Sequence, residues 1–102
     1  MASRLNLHEE LCRLLGSRSV YFQPPSSVLM NYPCIKYSLS GIDSKPANDA
    51  KYNSINRYEL IIIDHNSDSD IHVRILNHFQ MCRFDRAYVA DNLNHFVLTL
   101  YY

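Results

Sequence analysis

Two glycines and no tryptophan stand among 102 residues. So little glycine argues against a collagen-like or flexible low-complexity chain. It also leaves little backbone able to close on a phosphate, and no Gly-rich phosphate loop, Gly-x-Ser-x-Gly or Cys-x-x-Cys is present. The three cysteines, Cys12, Cys34 and Cys82, are odd in number, far apart and each set in an apolar pattern. That predicts buried thiols in a reducing compartment rather than a disulfide frame.

A charge excess is missing too. Ten Lys plus Arg balance ten Asp plus Glu, with the basic residues scattered from Arg4 to Arg86. Phosphate-backbone binding scales with the number of cations facing the polymer, so it is not expected as the main task. Without net self-repulsion, copies are free to associate. The run LIII, Leu60 to Ile63, falls far short of the about 20 apolar residues that span a bilayer. The first residues, MASRLNLHEEL, carry charges inside their apolar run, unlike a signal peptide. A soluble protein made inside the cell, with no membrane partner, is the expectation.

What is present is periodicity. Leu7, Leu11, Leu14 and Leu15 recur at helical spacing and Gly16 follows as a C′ residue, predicting an amphipathic helix. Val20 to Phe22 form a short β-type run before Pro24-Pro25, and a loop continues through Ser26 and Ser27. Cys34 to Leu39 alternate, with Ile35, Tyr37 and Leu39 on one face. From Ser40 to Asn56 turn-forming residues break the pattern, which reads as a long loop or arm. Arg57 to Asp64, RYELIIID, is the strongest strand, its isoleucines predicting cover on both faces.

Ser67 with Asp70 resembles a capping box, so a helix should follow, with Ile71, Ile75, Leu76 and Phe79 inward and an end near Gln80. Cys82 to Val89 alternate, placing Cys82, Phe84, Arg86 and Tyr88 together. After the turn Ala90-Asp91-Asn92, the last strand sets Phe96, Leu98, Leu100 and Tyr102 against His95, Val97, Thr99 and Tyr101. One domain over residues 1–102 is predicted, of class α+β: a mainly antiparallel sheet with two helices packed on one face, in the order α-β-β-β-α-β-β.

Chemistry-bearing clusters are few. Asp64, His65, Asp68, Asp70 and His72 are ligand types for zinc or a hard cation, yet they fit neither an EF-hand loop nor His-Glu-x-x-His. An acidic turn before a helix calls for the same residues, so no metal, cofactor or enzymatic activity is expected, with a small metal-dependent enzyme kept as the alternative. Asp85, Arg86 and Asp91 could form an ion-pair set but read as a solvated hairpin, and His8, His72, His78 and His95 as partly exposed histidines on helix or strand surfaces. Eight tyrosines offer stiff, amphipathic contact area of the kind enriched at interfaces.

The phrases VYFQPPSSVLMNYPCIKY, the stretch Ala47-Asn48-Asp49 before Tyr52, RYELIIIDHNSDSDI and FDRAYVADNLNHFVLTLYY resemble a family of small tailed-bacteriophage neck proteins, the tail terminator or tail completion proteins. Similar short phage proteins are also called head-tail connectors or minor structural proteins. The resemblance runs from Leu5 to Tyr102 and lies in order and phrasing, not in a catalytic signature. It implies a virion structural protein, assembled in the host bacterial cytoplasm. Such a protein forms a hexameric ring that caps the tail tube, meets the head-side connector and lets genomic DNA pass through its lumen. Under it, the surfaces between subunits are expected at Asp43, Lys45, Asn48, Asp49, Lys51 and Tyr52 in the arm, and at Tyr101 and Tyr102 on the closing strand.

Overall fold

The computed structural model describes residues 4–46 and 52–102, and of these the side chains outside 44–46 and 52–53. The elements follow the order α1 (Arg4–Leu15), β1 (Val20–Phe22), β2 (Cys34–Pro46), β3 (Tyr52–Asp64), α2 (Ile71–His78), β4 (Cys82–Ala90) and β5 (Leu93–Tyr101). The strands form one five-stranded sheet in the order β1-β2-β3-β5-β4. Only β1 runs parallel to its neighbour; the other pairs are antiparallel. This is the α+β architecture that the periodicities predict.

Both helices lie on one face because their apolar stripes need the same cover. Leu7, Leu11, Cys12 and Leu15 of α1 and Ile71 and Ile75 of α2 are buried against Ile35, Tyr37, Tyr58, Leu60, Ile62, Phe96, Leu98 and Leu100 of the sheet. Gly16 ends α1 at φ 86°, where its N–H donates to the Cys12 carbonyl at 2.9 Å. Arg74 of α2 then donates to the Leu14 carbonyl at 2.9 Å, satisfying an end group that the helix cannot bond itself.

Polar groups tie the helices to the sheet. The Tyr37 hydroxyl, on an otherwise buried ring, meets Arg4 at 3.2 Å and His8 Nδ1 at 2.8 Å. Glu10 accepts from the Tyr102 hydroxyl at 2.5 Å and lies 3.1 Å from His78 Nε2, so one carboxylate gathers α1, α2 and the end of the sheet. These bonds, Tyr102 first, hold the Glu10 carboxyl below its ordinary value and push the Tyr102 phenol up to about 12. Tyr102 therefore points inward, in line with Phe96, Leu98 and Leu100.

Four local expectations are corrected. Ser40 to Asn56 is not a structureless arm: 40–46 and 52–56 continue β2 and β3 as an antiparallel ribbon, pairing Ile42 with Asn56 out to Pro46 with Tyr52. Turn-forming residues there do not stop the strands, because each continues the register of a strong neighbouring segment. In β4 a bulge between Phe84 and Arg86 puts Asp85 out of register, so Arg86 and Tyr88 lie on the face opposite Cys82 and Phe84. Helix α2 ends at His78, with Phe79 extended, and Asp70 is its N-cap without a side-chain capping bond. His72 is half-buried and turned inward, not largely outside; its ring stacks on Phe96 at 4.2 Å and its Nδ1 is buried without a partner.

Leu98 is fully buried on the helix side, whereas Val89 on the edge strand is 70% exposed. Urea denaturation should show Leu98→Ala destabilised by about 2–5 kcal/mol and Val89→Ala changed by less than about 0.5 kcal/mol. Burial also lowers the His72 pKa, with Asp70 opposing it. Folding favours the neutral ring, so the unfolded chain takes the proton first. This contribution is complete above the unfolded value near 6.5 and is lost as pH falls through the lower folded value. His8 is shifted the same way by burial, Arg4 and Arg18. The denaturation midpoint should therefore fall between pH 7 and 5, and His72→Phe should flatten that fall without abolishing it.

Candidate functional site

The helices cover one face of the sheet and leave three surfaces to examine: the ribbon, the outer edge of β4 and the uncovered face. The ribbon exists because β2 and β3 each run thirteen residues. Strand β5 accompanies β3 only as far as the pair Arg57 with Tyr101, and β1 accompanies β2 only at Ile35 to Tyr37. Five further pairs extend past Arg57 with no third strand beside them among the described residues. At the usual rise per residue they project by about 17 Å. The principal extents of 51 × 26 × 23 Å show the elongation.

A knot of polar bonds fixes the root of the ribbon. A bulge between Leu39 and Gly41 brings Gly41 opposite Arg57. The Arg57 guanidinium bonds Asp43 Oδ1 at 3.2 Å and the Ser40 carbonyl at 3.4 Å, while Ser40 Oγ donates to the Arg57 carbonyl at 3.0 Å. A Cβ on Gly41 would stand 2.3 Å from Arg57 Nη2, so glycine is required for the guanidinium to lie there. On the other side of the ribbon Ile42 is 58% exposed and Leu39 42%.

Strand β4 is the outermost strand and is exposed along nearly its whole length. On the helix side it presents Phe84 and Val89, with Phe84 46% exposed and its ring tilted against that of His72 at 6.0 Å between centroids. On the other side Arg83 pairs with Asp85 at 3.1 Å, Thr99 donates to Asp85, and Tyr88 stacks on His95 at 4.6 Å with Arg86 over its ring. The bulge turns Asp85 onto Arg83 and Thr99, while Asp91 is exposed in the hairpin turn.

The uncovered face is drier than an open face usually is. Cys34, Ile63 and Val97 are buried there, and Lys36, Ser38, Glu59 and Ile61 are half-buried around them. The cleft between Gln23, Pro24, Lys36, Ser38, Glu59 and Ile61 holds about 270 Å³, below the usual range of small-molecule sites. Burial pushes the Cys34 and Cys82 thiols up to about 11, so at neutral pH both are the unreactive thiol.

The acidic run has a local explanation. Asp64 Oδ1 accepts from the Asn66 N–H, Asn66 Oδ1 from the Asp68 N–H, and Asp70 pairs with Arg74. His65 meets the Tyr32 ring edge-on and His72 lies on Phe96. Among the described residues, no three His, Cys, Asp or Glu side chains converge as metal ligands do. No helix among them is long and apolar enough to cross a membrane.

Of the residues expected between subunits, Asp43 stands at the ribbon root and Tyr101 on the uncovered face opposite Arg57. The backbone of Lys45 and Tyr52 lies in the ribbon, paired to Asn53 and Pro46 respectively. Asn48, Asp49 and Lys51 lie outside the described residues. Tyr102 is turned toward Glu10, away from the arm. Sequence reasoning missed Ile42, Leu39 and Phe84 as exposed apolar groups; Phe84 keeps its predicted face with Cys82 but stands on the outermost strand, 46% exposed.

Comparison with known proteins gives no family model matching the chain. No curated protein matches it either.

Arg57→Ala should speed amide hydrogen exchange across 40–46 and 52–56 by about tenfold, the loss of roughly one charged hydrogen bond, while leaving exchange in α1 unchanged. Gly41→Val should do the same by displacing the guanidinium. Equal protection in both variants and the parent would show that the knot does not hold the ribbon.

Proposed function

We propose that this chain is a structural protein of the tailed-phage neck, acting as one copy of a ring that caps the tail tube and joins it to the head-side connector. The observation that carries the reading is the two-stranded ribbon standing clear of the sheet. An isolated two-stranded hairpin is marginal in water, so one held out by about five residue pairs is suited to rest on another surface. The edge of β4, at the far side of the sheet, is a different exposed surface on the same chain. Two unlike patches that meet head to tail close into a ring when the rotation allows it.

Zero formal charge supports this reading in two ways. Copies do not repel one another, and the surface carries no excess of cations to hold DNA passing through a lumen. The resemblance of the sequence to terminator proteins supplies the place in the virion, with the tail tube protein on one side and the head-side connector on the other. The work is geometric, and no catalytic group is assigned.

Purified protein mixed with tail tubes should appear by electron microscopy as a collar at one end of the tube. Light scattering should give the mass of a closed oligomer, six copies being expected. Removing Asp43 to Lys51 should abolish both the collar and the oligomer. Isolated single copies on the tube, or capping retained after the deletion, would refute the reading.

A further inference from the structure

The ribbon root and the β4 edge share an unusual pattern. Each carries one bulge, and each therefore changes once which residues face the helix side. In β2 the helix-side residues step from Leu39 to Ile42 across the bulge, while Gly41 and Asp43 share the opposite side with Arg57. In β4 they step from Phe84 to Ala87, opposite Leu98 and Phe96, while Asp85 and Arg86 share the other side with Thr99 and Val97.

A bulge sets two residues of one strand against one of its neighbour, as β2 does against β3 and β4 against β5, and so changes which residues share a face beyond it. Pairing β4 with its own copy about a two-fold axis would set Phe84 opposite Ala87 and Asp85 opposite Arg86, in phase on both faces. A ring instead requires two unlike surfaces, and the ribbon root is the unlike one.

The two steps match each other. With β2 of one copy antiparallel to β4 of the next and the bulges aligned, Phe84 stands opposite Ile42, Ala87 opposite Leu39, and Arg83 opposite Asp43. On one side the exposed apolar groups of both strands meet. On the other an arginine meets a carboxylate, both now held only in partly exposed pairs within the chain, Arg83 with Asp85 and Arg57 with Asp43, which contribute little.

From this charge and shape match we infer that the occupant of the β4 edge is the ribbon root of a second copy, added as a further antiparallel strand in this register. Backbone N–H and C=O groups at the edge supply affinity, and the two faces supply register. The inference rests on the ring reading and adds to it which residues of neighbouring subunits touch.

Disulfide trapping tests it, in a Cys82→Ser background so that the half-exposed native thiol takes no part. Chains carrying Ile42→Cys and Phe84→Cys together, oxidised with copper phenanthroline, should give a ladder of covalent multimers, and either change alone should not. A charge change should agree: Arg83→Asp weakens self-association by about tenfold.

Multimers by light scattering without the Ile42–Phe84 ladder would overturn this contact and leave the ring reading standing. A ladder from Leu39→Cys with Phe84→Cys, but not from the first pair, would overturn the antiparallel register. Monomers at every concentration, with and without tail tubes, would overturn both.

Discussion

Strand length is the constraint from which the rest follows. Thirteen residues each in β2 and β3 are set in a sheet whose other strands have three and nine. Two helices of twelve and eight residues cover the central part of one face, where all five strands contribute, and no more. The surplus length of β2 and β3 leaves that sheet as a ribbon. Its two strands bond each other on their inner edges, while its side chains lie beyond the reach of α1 and α2.

Within the body, polar groups do what a thin core cannot. Tyr37 is buried with its hydroxyl against Arg4 and His8, and Glu10 draws together Tyr102 and His78. Each of these bonds reaches from a helix to another element, so the helices are fixed in place as well as buried. The tyrosines divide accordingly. Tyr37 and Tyr58 are core residues and Tyr102 packs against the core, while Tyr88 stacks on His95 at the edge. The tyrosines thus serve both the interior and the surface of this fold.

Much of this was legible in the sequence, for a plain reason. Leu7, Leu11 and Leu15 at helical spacing, and Phe96, Leu98 and Leu100 in alternation, each answer to one dominant period, and burial on one face enforces it. The order of elements and the side on which the helices lie follow from those periods. The ribbon was not legible, because GIDSKPANDAKYNSIN has neither period; the strand conformation of 41–46 and 52–56 is inherited from the stronger segments that they continue. The phase of β4 was not legible either, since Asp85 leaves the ladder without any glycine or proline to mark it. Both failures fall where the chain carries exposed apolar groups, which is where a sequence serves something other than its own core.

The turn after β1 has one more consequence. Gln23 adopts a left-handed backbone, φ 45°, its N–H donating to the Tyr37 carbonyl and its side-chain oxygen accepting from the Leu39 N–H. The amide of a single residue thus occupies the next rung of the ladder that β1 abandons. The outward N–H of Leu39 is therefore already taken, and Gln23 closes that stretch of the β2 edge with a side chain in place of a strand.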